Sequence, residues 1–222
     1  MERREEAGTE DKAVMLGLLA AVERDSALTQ RHLARELGIA LGLANAYLRR
    51  CAKKGLIKMR QVPLNRYAYY LTPRGFAEKS RLTAEYLSTS FDFFRQARRD
   101  CAALLVASAE RGWRRVALVG AGELAEIAVL GAAESGVEIV AVIDADGERS
   151  CAGRSVVADL TALDPGTVLD AVIITDMRAP QACYEATLLA AAARGLGAER
   201  VLAPQLLHIT PGKRLLARGA AR

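Results

Sequence analysis

The sequence has little of the chemistry that marks metal sites and membrane proteins. Its 222 residues include two histidines and four widely separated cysteines, with no Cys-x-x-Cys pair. Zinc sites need such ligands in close spacing, so we predict no metal site and expect buried or inert cysteines, with a redox-sensing Cys51 or Cys151 as the alternative. No apolar run approaches the roughly 18 residues that span a bilayer, and the first residues lack the apolar core of a signal peptide. We therefore expect a cytoplasmic protein with no membrane partner.

A recognisable catalytic arrangement is also missing. Neither His32 nor His208 has a Ser/His/Asp setting, and no Tyr-x-x-x-Lys pair accompanies the glycine turn described below. The sequence therefore predicts a protein that is not an enzyme.

Charge is spread unevenly along the chain. Residues 1–111 carry 20 Lys and Arg against 13 Asp and Glu, whereas residues 112–222 carry 11 against 13. Between residues 49 and 81, ten basic residues accompany a single acid, Glu78. A basic half joined to a mildly acidic half indicates polyanion binding in the first half and a different task in the second.

Three helices are predicted in the basic half. Apolar spacing predicts a helix over residues 12–24, Thr29 can cap a second helix over Gln30–Leu37, and a third runs from Leu41 to Lys54 after Gly38. The residues expected toward the core on the third helix are Leu43, Ala46, Tyr47 and Cys51. Helix, short turn and helix form a helix-turn-helix unit.

A hairpin is predicted directly after these helices. Leu56–Gln61 alternates apolar and polar residues, Val62–Arg66 is a turn, and Tyr67–Leu71 is a second strand. A hairpin at this place is the wing of a winged helix.

The segment from the end of the third helix to the start of the next supports this interpretation. Lys54-Gly-Leu-Ile-Lys58 and Tyr70-Leu-Thr-Pro-Arg-Gly75 resemble bacterial winged-helix regulators of the MarR-like type, including those found with polysaccharide genes. The resemblance covers about residues 12–88 and implies binding to double-stranded DNA. A winged helix used only for protein contact, or a basic face that is merely solvated, is the alternative.

In such a domain the third helix enters the major groove, with Asn45 and Arg49 nearest the bases. The surrounding cations would neutralise phosphates, which supplies salt-dependent affinity and little sequence information. The predicted DNA-binding residues are Gln30, Asn45, Arg49, Arg50, Lys53, Lys54, Arg60 and Arg66.

Residues 73–111 are predicted to form a helical connector with a broad apolar surface. Its apolar residues are Leu82, Tyr86, Leu87, Phe91, Phe93 and Phe94. Such a surface fits a dimer seam, an interdomain contact or simple intrachain core. We favour a homodimer, because helix-turn-helix proteins usually bind two half-sites.

Strands and helices alternate in the second half. The predicted strands are Val116–Val119, Val137–Ile143, Ser155–Val157, Ala171–Thr175 and Arg200–Leu202, with helices over Leu124–Ser135 and Gln181–Arg194. Continuous apolar strands between helices indicate a parallel sheet covered on both faces. We predict an α/β two-domain protein. An N-terminal winged helix-turn-helix occupies residues 1–72, the connector follows over 73–111, and a Rossmann-like domain with helices on both faces of its sheet covers 112–222.

A glycine turn follows the first strand of that domain. Gly120 permits the tight turn, and Gly122 lets a pyrophosphate approach the helix N-terminus. Asp144, at the end of the next strand, is placed to bind a ribose hydroxyl and favours NAD over NADP. Glu123 would bring negative charge near any bound phosphate. The predicted ligand-binding residues are Gly120, Gly122, Glu123, Leu124, Asp144, Asp146, Thr175 and Asp176.

Two resemblances bear on the ligand. A winged helix followed by a nucleotide-binding domain resembles the Rex-type redox repressors, with Val119-Gly-Ala-Gly122 and Val142-Ile-Asp144 as the matching segments, and this implies NAD(H). The same half is similar to the sugar-nucleotide-binding domains of polysaccharide-modifying enzymes through Gly120–Glu123 and Ile143–Asp146, which implies a nucleotide sugar. Thr175, Asp176 and Arg178 should lie on the same ligand-facing edge, an ordinary polar loop being the alternative.

The sequence thus predicts a DNA-binding transcriptional regulator controlled by a small nucleotide ligand, either NAD(H) or a nucleotide sugar. One alternative is a small nucleotide-dependent enzyme, an oxidoreductase or a sugar-nucleotide-modifying protein, with an accessory winged helix. Another is a regulator whose Rossmann-like domain serves only dimerisation.

Overall fold

The computed structural model describes residues 2–62, 66–146, 150–164 and 166–210; the side chains of residues 2–10, 62 and 66 lie outside that description. The chain divides into two units, residues 1–91 and 92–222. The domain boundaries predicted after residues 72 and 111 stay a prediction. Within the described ranges, every helix is too short or too polar to span a bilayer.

The first unit is a winged helix-turn-helix, as predicted. Its elements are α1 (Glu2–Arg24), α2 (Gln30–Glu36), α3 (Leu41–Lys53), β1 (Ile57–Val62), β2 (Arg66–Leu71) and the first part of α4 (Pro73–Glu110). The Thr29 hydroxyl accepts the N–H of His32 at 3.1 Å, which confirms the predicted cap of α2. β1 and β2 pair antiparallel with Ile57 opposite Leu71, so the wing is confirmed. Residues 63–65 of its turn lie outside the described residues.

Helix α3 buries only part of the predicted set: Cys51 is in the core and Tyr47 packs against it, as predicted. Ala44, Leu48 and Cys51 are buried, whereas Leu43 is 46% exposed. The buried residues follow the four- and three-residue spacing of one helical stripe. Because each residue advances about 100° around the helix, this stripe is rotated by about 100° from the stripe through Leu43. This stripe packs into a core with residues of α1, α2, the wing and α4, including Leu18, Leu33, Tyr69 and Leu82. The prediction that Leu43 and Ala46 face the core is wrong, because the packing of α1, α2 and the wing against α3 decides which of its apolar residues are covered.

Helix α1 begins at Glu2 rather than at residue 12. The additional residues are mostly good helix formers without an apolar stripe. An argument from periodicity detects the packed part of such a helix and misses its polar extension.

The second unit is an α/β fold around a six-stranded sheet. After the remainder of α4 come β3 (Arg115–Val119), α5 (Glu123–Ser135), β4 (Glu138–Ile143), β5 (Ser150–Cys151), β6 (Arg154–Val157), β7 (Ala171–Ile174), α6 (Pro180–Ala193) and β8 (Val201–Leu202). The strand order is β5-β6-β4-β3-β7-β8. Five strands run parallel and the two-residue β5 pairs antiparallel with β6 at the edge. The predicted Rossmann-like sheet is confirmed, with one short antiparallel strand added.

Both faces of this sheet are covered, as predicted. Val116 and Leu118 of β3 pack in one core with α5, whereas Ala117 between them packs in a second core with α6. Successive residues of a strand point to opposite faces, so an uninterrupted apolar strand supplies both cores at once.

The turn after β3 lies against the loop after β7. The carbonyl oxygen of Val119 accepts the N–H groups of Thr175 at 2.7 Å and Asp176 at 3.0 Å. A Cβ at Gly120 would stand 2.3 Å from the backbone nitrogen of Asp176, and Gly120 has φ +107°. Gly120 is therefore required for the packing of two loops, in addition to any approach of a ligand.

We predict that Gly120→Ala lowers the free energy of unfolding by about 3 kcal/mol, because strain at a glycine-only conformation is added to a backbone clash. Urea unfolding measures the change. Gly153→Ala is the matched control: Gly153 also has positive φ, +74°, but nothing lies within 4 Å of its Cβ position. The control should cost only about 1 kcal/mol. Equal losses in the two variants would show that the contact with Asp176 contributes nothing.

Candidate functional site

The predicted ligand-binding residues meet at the carboxyl ends of three strands. The chain moves from β3 to β4 and β6 on one side, then to β7 and β8 on the other, so the strand order reverses beside β3. In open α/β sheets such a reversal leaves a crevice where ligands bind. Gly120 follows β3, Asp144 follows β4, and Asp176 lies two residues beyond β7. Three segments distant in sequence therefore converge on one edge.

Gly122 borders open space at the start of α5. Its φ is +143°, and a Cβ built there would meet nothing within 4 Å. It is the N-cap residue of α5, where the first amide groups of the helix have no partner within the helix. The Leu124 side chain, by contrast, is fully buried in the core beneath the sheet. Its predicted role in ligand binding is thus restricted to the backbone.

Asp144 is buried and fully hydrogen-bonded. Its Oδ2 accepts the N–H of Ala121 and a guanidinium N–H of Arg178, each at 2.8 Å. Its Oδ1 accepts the N–H of Asp146 at 3.0 Å. The carboxylate thus joins the glycine turn to the end of β4.

Arg178 bridges Asp144 and Asp176. Its Nε donates to Asp176 Oδ1 at 2.8 Å, while its other contact is to Asp144. The arginine side chain is 60% exposed, whereas the two carboxylates are 2% and 9% exposed. Sequence analysis placed Arg178 on this edge but did not detect the bridge, because its two partners are separated by 32 positions in the chain.

The hydrogen bonds control the ionisation of both acids. Burial alone would raise the pKa of Asp144, but the N–H groups of Ala121 and Asp146 and the Arg178 guanidinium lower it below its ordinary value. The pKa of Asp176 is lowered in the same way, against burial, by Arg178 and by the N–H of Ala179. Both groups are therefore carboxylates at neutral pH.

The site has an acidic surrounding. Glu123 and Asp146 are exposed at this edge, and within the described residues Arg178 is the cation that pairs with the buried Asp144 and Asp176. The Thr175 hydroxyl donates to the carbonyl oxygen of Gly120 at 2.6 Å, so it connects the two loops. Negative charge at the start of a helix competes with a bound phosphate for the same positive end of the helix dipole.

The basic residues of the first unit fall into two groups. Arg49, Lys53, Lys54 and Arg60 are exposed and make no ion pair in the part of the chain that the structure describes. Arg50 pairs with Asp11 at 2.7 Å, and the same carboxylate accepts the Tyr47 hydroxyl. Cations with no internal partner are the ones available to phosphates.

The remaining predicted DNA contacts are partly engaged within the unit. Gln30 donates its side-chain amide to the Tyr69 hydroxyl at 3.0 Å. Asn45 is half-buried, and its Oδ1 accepts no hydrogen bond among the described residues. The side chain of Arg66 lies outside the described residues.

The cysteines are shielded. Burial raises the pKa of the Cys51 thiol to about 11 and that of Cys101 to about 12, and it also raises that of Cys183. Across residues 2–62, 66–146, 150–164 and 166–210, no three His, Cys, Asp or Glu side chains form a group that could hold a metal ion.

Comparison with known proteins supports the winged helix-turn-helix assignment of the first unit. A family described as winged helix-turn-helix DNA-binding matches residues 14–58. No curated protein is significantly similar to the chain in sequence. A solved structure of MepR, a transcription regulator of the Staphylococcus aureus multidrug efflux pump MepA, is 19% identical over 42% of this chain and 79% of its own, with a TM-score of 0.34.

Two further structures are of the O-methyltransferase NcsB1 from neocarzinostatin biosynthesis. One, with S-adenosyl-L-homocysteine, is 17% identical over 84% of this chain and 79% of that chain, with a TM-score of 0.34. The other, with S-adenosylmethionine and 2-hydroxy-5-methyl naphthoic acid, is 14% identical over 88% and 62%, with a TM-score of 0.25. At such TM-scores the likeness assigns neither an activity nor a ligand to this chain.

These structures nevertheless correct two predictions. The sequence predicted a protein that is not an enzyme, whereas the matched structures that cover most of the chain are of an enzyme, so this prediction is wrong. The predicted NAD(H) or nucleotide sugar is wrong as well, since those structures hold S-adenosyl compounds. At this edge the exposed carboxylates of Glu123 and Asp146 would oppose the negative charge of a pyrophosphate.

We predict that Arg178→Gln lowers the free energy of unfolding at pH 7 and that the difference from wild type shrinks as the pH falls below 4. Asp144 and Asp176 have lowered pKa values when folded, so their contribution to stability is present above the ordinary aspartate pKa and is lost as the pH falls through the folded values. Without the cation those pKa values rise and the contribution diminishes. Urea unfolding at several pH values measures this. Arg154→Gln, at an exposed position of β6, is the control. A gap that is constant with pH would contradict the coupling.

Proposed function

We propose that this chain is a DNA-binding transcription regulator whose second unit receives a small-molecule signal at the carboxyl ends of β3, β4 and β7. The observation that carries the first part is the set of exposed cations without ion pairs on and beside α3 and on the wing, in a unit that matches the winged helix-turn-helix family. The second part is supported by the open space at Gly122 and the convergence of Asp144 and Asp176.

The ligand we propose is a nucleoside-type molecule without phosphates. Buried carboxylates accept hydrogen bonds from hydroxyl groups, and the acidic surrounding favours a ligand that is neutral or positively charged. Such a ligand would take over the contacts that Arg178 makes with Asp144 and Asp176. A signal arises only if the ligand binds more tightly to one of two forms of the protein that differ in DNA affinity.

We further propose that the regulator acts as a homodimer. Helix α4 exposes large apolar side chains that a monomer would leave in water. The residues are Phe76, Tyr86, Leu87, Phe91, Phe93 and Phe94. A second copy of the chain would cover them and would present two winged helices to two half-sites.

We predict salt-sensitive, sequence-preferring binding to duplexes from the region upstream of the protein's own coding sequence, with two chains per duplex. Arg49→Ala should weaken this binding about tenfold, because it removes an unpaired cation from α3, the helix expected to enter the major groove. Arg24→Ala is the matched control, since Arg24 already pairs with Glu36. Fluorescence anisotropy over a salt series gives both results. Absence of such binding by the wild type would refute the regulator.

We predict that adenosine or S-adenosylmethionine raises the melting temperature more than ADP does. The acidic edge opposes the phosphates of ADP, whereas the sulfonium of S-adenosylmethionine brings a positive charge. Asp144→Asn should abolish the shift, and Asp92→Asn, which changes an exposed carboxylate on α4, should preserve it. Differential scanning fluorimetry provides the measurement. A larger shift with ADP in the wild type would rule out the phosphate-free class.

Catalysis at the same edge is the second candidate function. The observation that favours it is the pair of buried carboxylates with lowered pKa values where α/β enzymes hold their ligands. Formation of S-adenosylhomocysteine from S-adenosylmethionine, with the protein alone and with duplex DNA, tests for methyl transfer. Turnover that Asp144→Asn removes would support an enzyme, and binding without turnover would support the regulator.

A further inference from the structure

A cavity in the first unit is lined by more basic than acidic side chains. It is open, about 350 Å³ in volume, and lies where the end of α3 meets the start of α4. Its lining residues are Lys54, Leu56, Arg74, Ala77, Glu78 and Arg81. Three of these are cations and one is an acid.

Two of the three cations lack an internal partner. Arg81 is held by Glu78 at 2.9 Å and by Glu85 at 2.9 Å. Lys54 and Arg74 are exposed and form no ion pair with any residue that the structure describes. Glu78 is near both: its pKa is lowered first by the hydrogen bond from Arg81 and also by the charges of Lys54 and Arg74. Arg81 thus has two ion pairs, whereas Lys54 and Arg74 interact with Glu78 only through their charges.

The cavity can therefore accept an anion. Lys54 and Arg74 line the same space, and neither has a carboxylate partner within the described residues. An oxyanion between Lys54 and Arg74 would receive charge-assisted hydrogen bonds from both side chains.

We propose that the Lys54–Arg74 cavity is a phosphate-binding site. The phosphate can come from the DNA backbone or from a free phosphate compound, and the chemistry of the site is the same in both cases. As a backbone contact, this site rests on the proposed DNA-binding function. It would add Arg74, which lies outside both α3 and the wing, to the residues that position the duplex.

The test measures DNA affinity over a salt series for two variants that are expected to have opposite effects. Arg74→Gln should make the dependence of affinity on salt shallower by about one phosphate contact, so that the wild type loses about 3.5-fold more affinity than the variant between 50 and 200 mM salt. The weakening should be equal for all duplexes. Glu78→Gln should strengthen binding, because it removes the negative charge from the cavity and one of the two carboxylates that hold Arg81.

The two matched controls are Lys79 on α4 and its ion-pair partner Glu23 on α1. Lys79→Gln removes a cation five positions along α4, but Lys79 pairs with Glu23 and does not line the cavity. Glu23→Gln is the corresponding control for Glu78→Gln. If Arg74→Gln and Lys79→Gln have the same effect on the salt dependence, the backbone contact is refuted.

A second measurement separates the two sources and is independent of DNA. Inorganic phosphate at constant ionic strength should raise the melting temperature of the wild type and not that of Arg74→Gln or Lys54→Gln. Stabilisation by phosphate with an unchanged salt dependence in Arg74→Gln supports the site and assigns it to a free phosphate compound. If the wild type binds no DNA but is stabilised by phosphate, the proposed regulator is refuted and the proposed phosphate site is supported. No effect of phosphate and no change in salt dependence overturns the proposal.

Discussion

The contact between the turn after β3 and the loop after β7 determines the candidate ligand site. With no Cβ at Gly120, the backbone of Asp176 comes close enough for Val119 to accept two N–H groups and for Thr175 to donate to Gly120. The same approach brings the Asp176 carboxylate to the side of Asp144, where one arginine can contact both. A larger residue at position 120 would separate the loops, and the cluster of charges would be lost with them.

The two units use their charges in different ways. In the first unit, several cations near α3 and the wing form no ion pair within the described residues, so they are available to pair with an external polyanion. In the second unit, Arg178 is bound to two acids, and Asp170 accepts the backbone N–H groups of Arg114 and Arg115. The excess of positive charge is therefore available in the unit that matches a DNA-binding family, and the second unit holds its buried carboxylates at the candidate ligand site.

Local sequence patterns were sufficient for the elements and insufficient for the contacts among them. The alternation around Val62–Arg66 and the apolar strands predicted the wing and the sheet, because both depend on neighbouring residues. The choice between Leu43 and Ala44 on α3 was not predictable in this way, since both are apolar and the packing of the neighbouring elements decides between them. The same holds for the site: Asp144 was placed by its position at a strand end, but its bond to Arg178 joins residues 34 positions apart.

The hydrogen bonds of Asp144 restrict what a ligand can do there. Two of its three donors are backbone N–H groups fixed by the turn and by the end of β4, so a ligand can replace only Arg178. A neutral hydroxyl in that place would satisfy the hydrogen bonds of the two poorly exposed carboxylates but not their charge, so we expect a neutral nucleoside to bind more weakly than a cationic one. A ligand that carries its own positive charge would restore the balance that Arg178 provides. A pyrophosphate would instead add negative charge next to Glu123 and the two aspartates, so the glycine turn alone does not indicate a dinucleotide site.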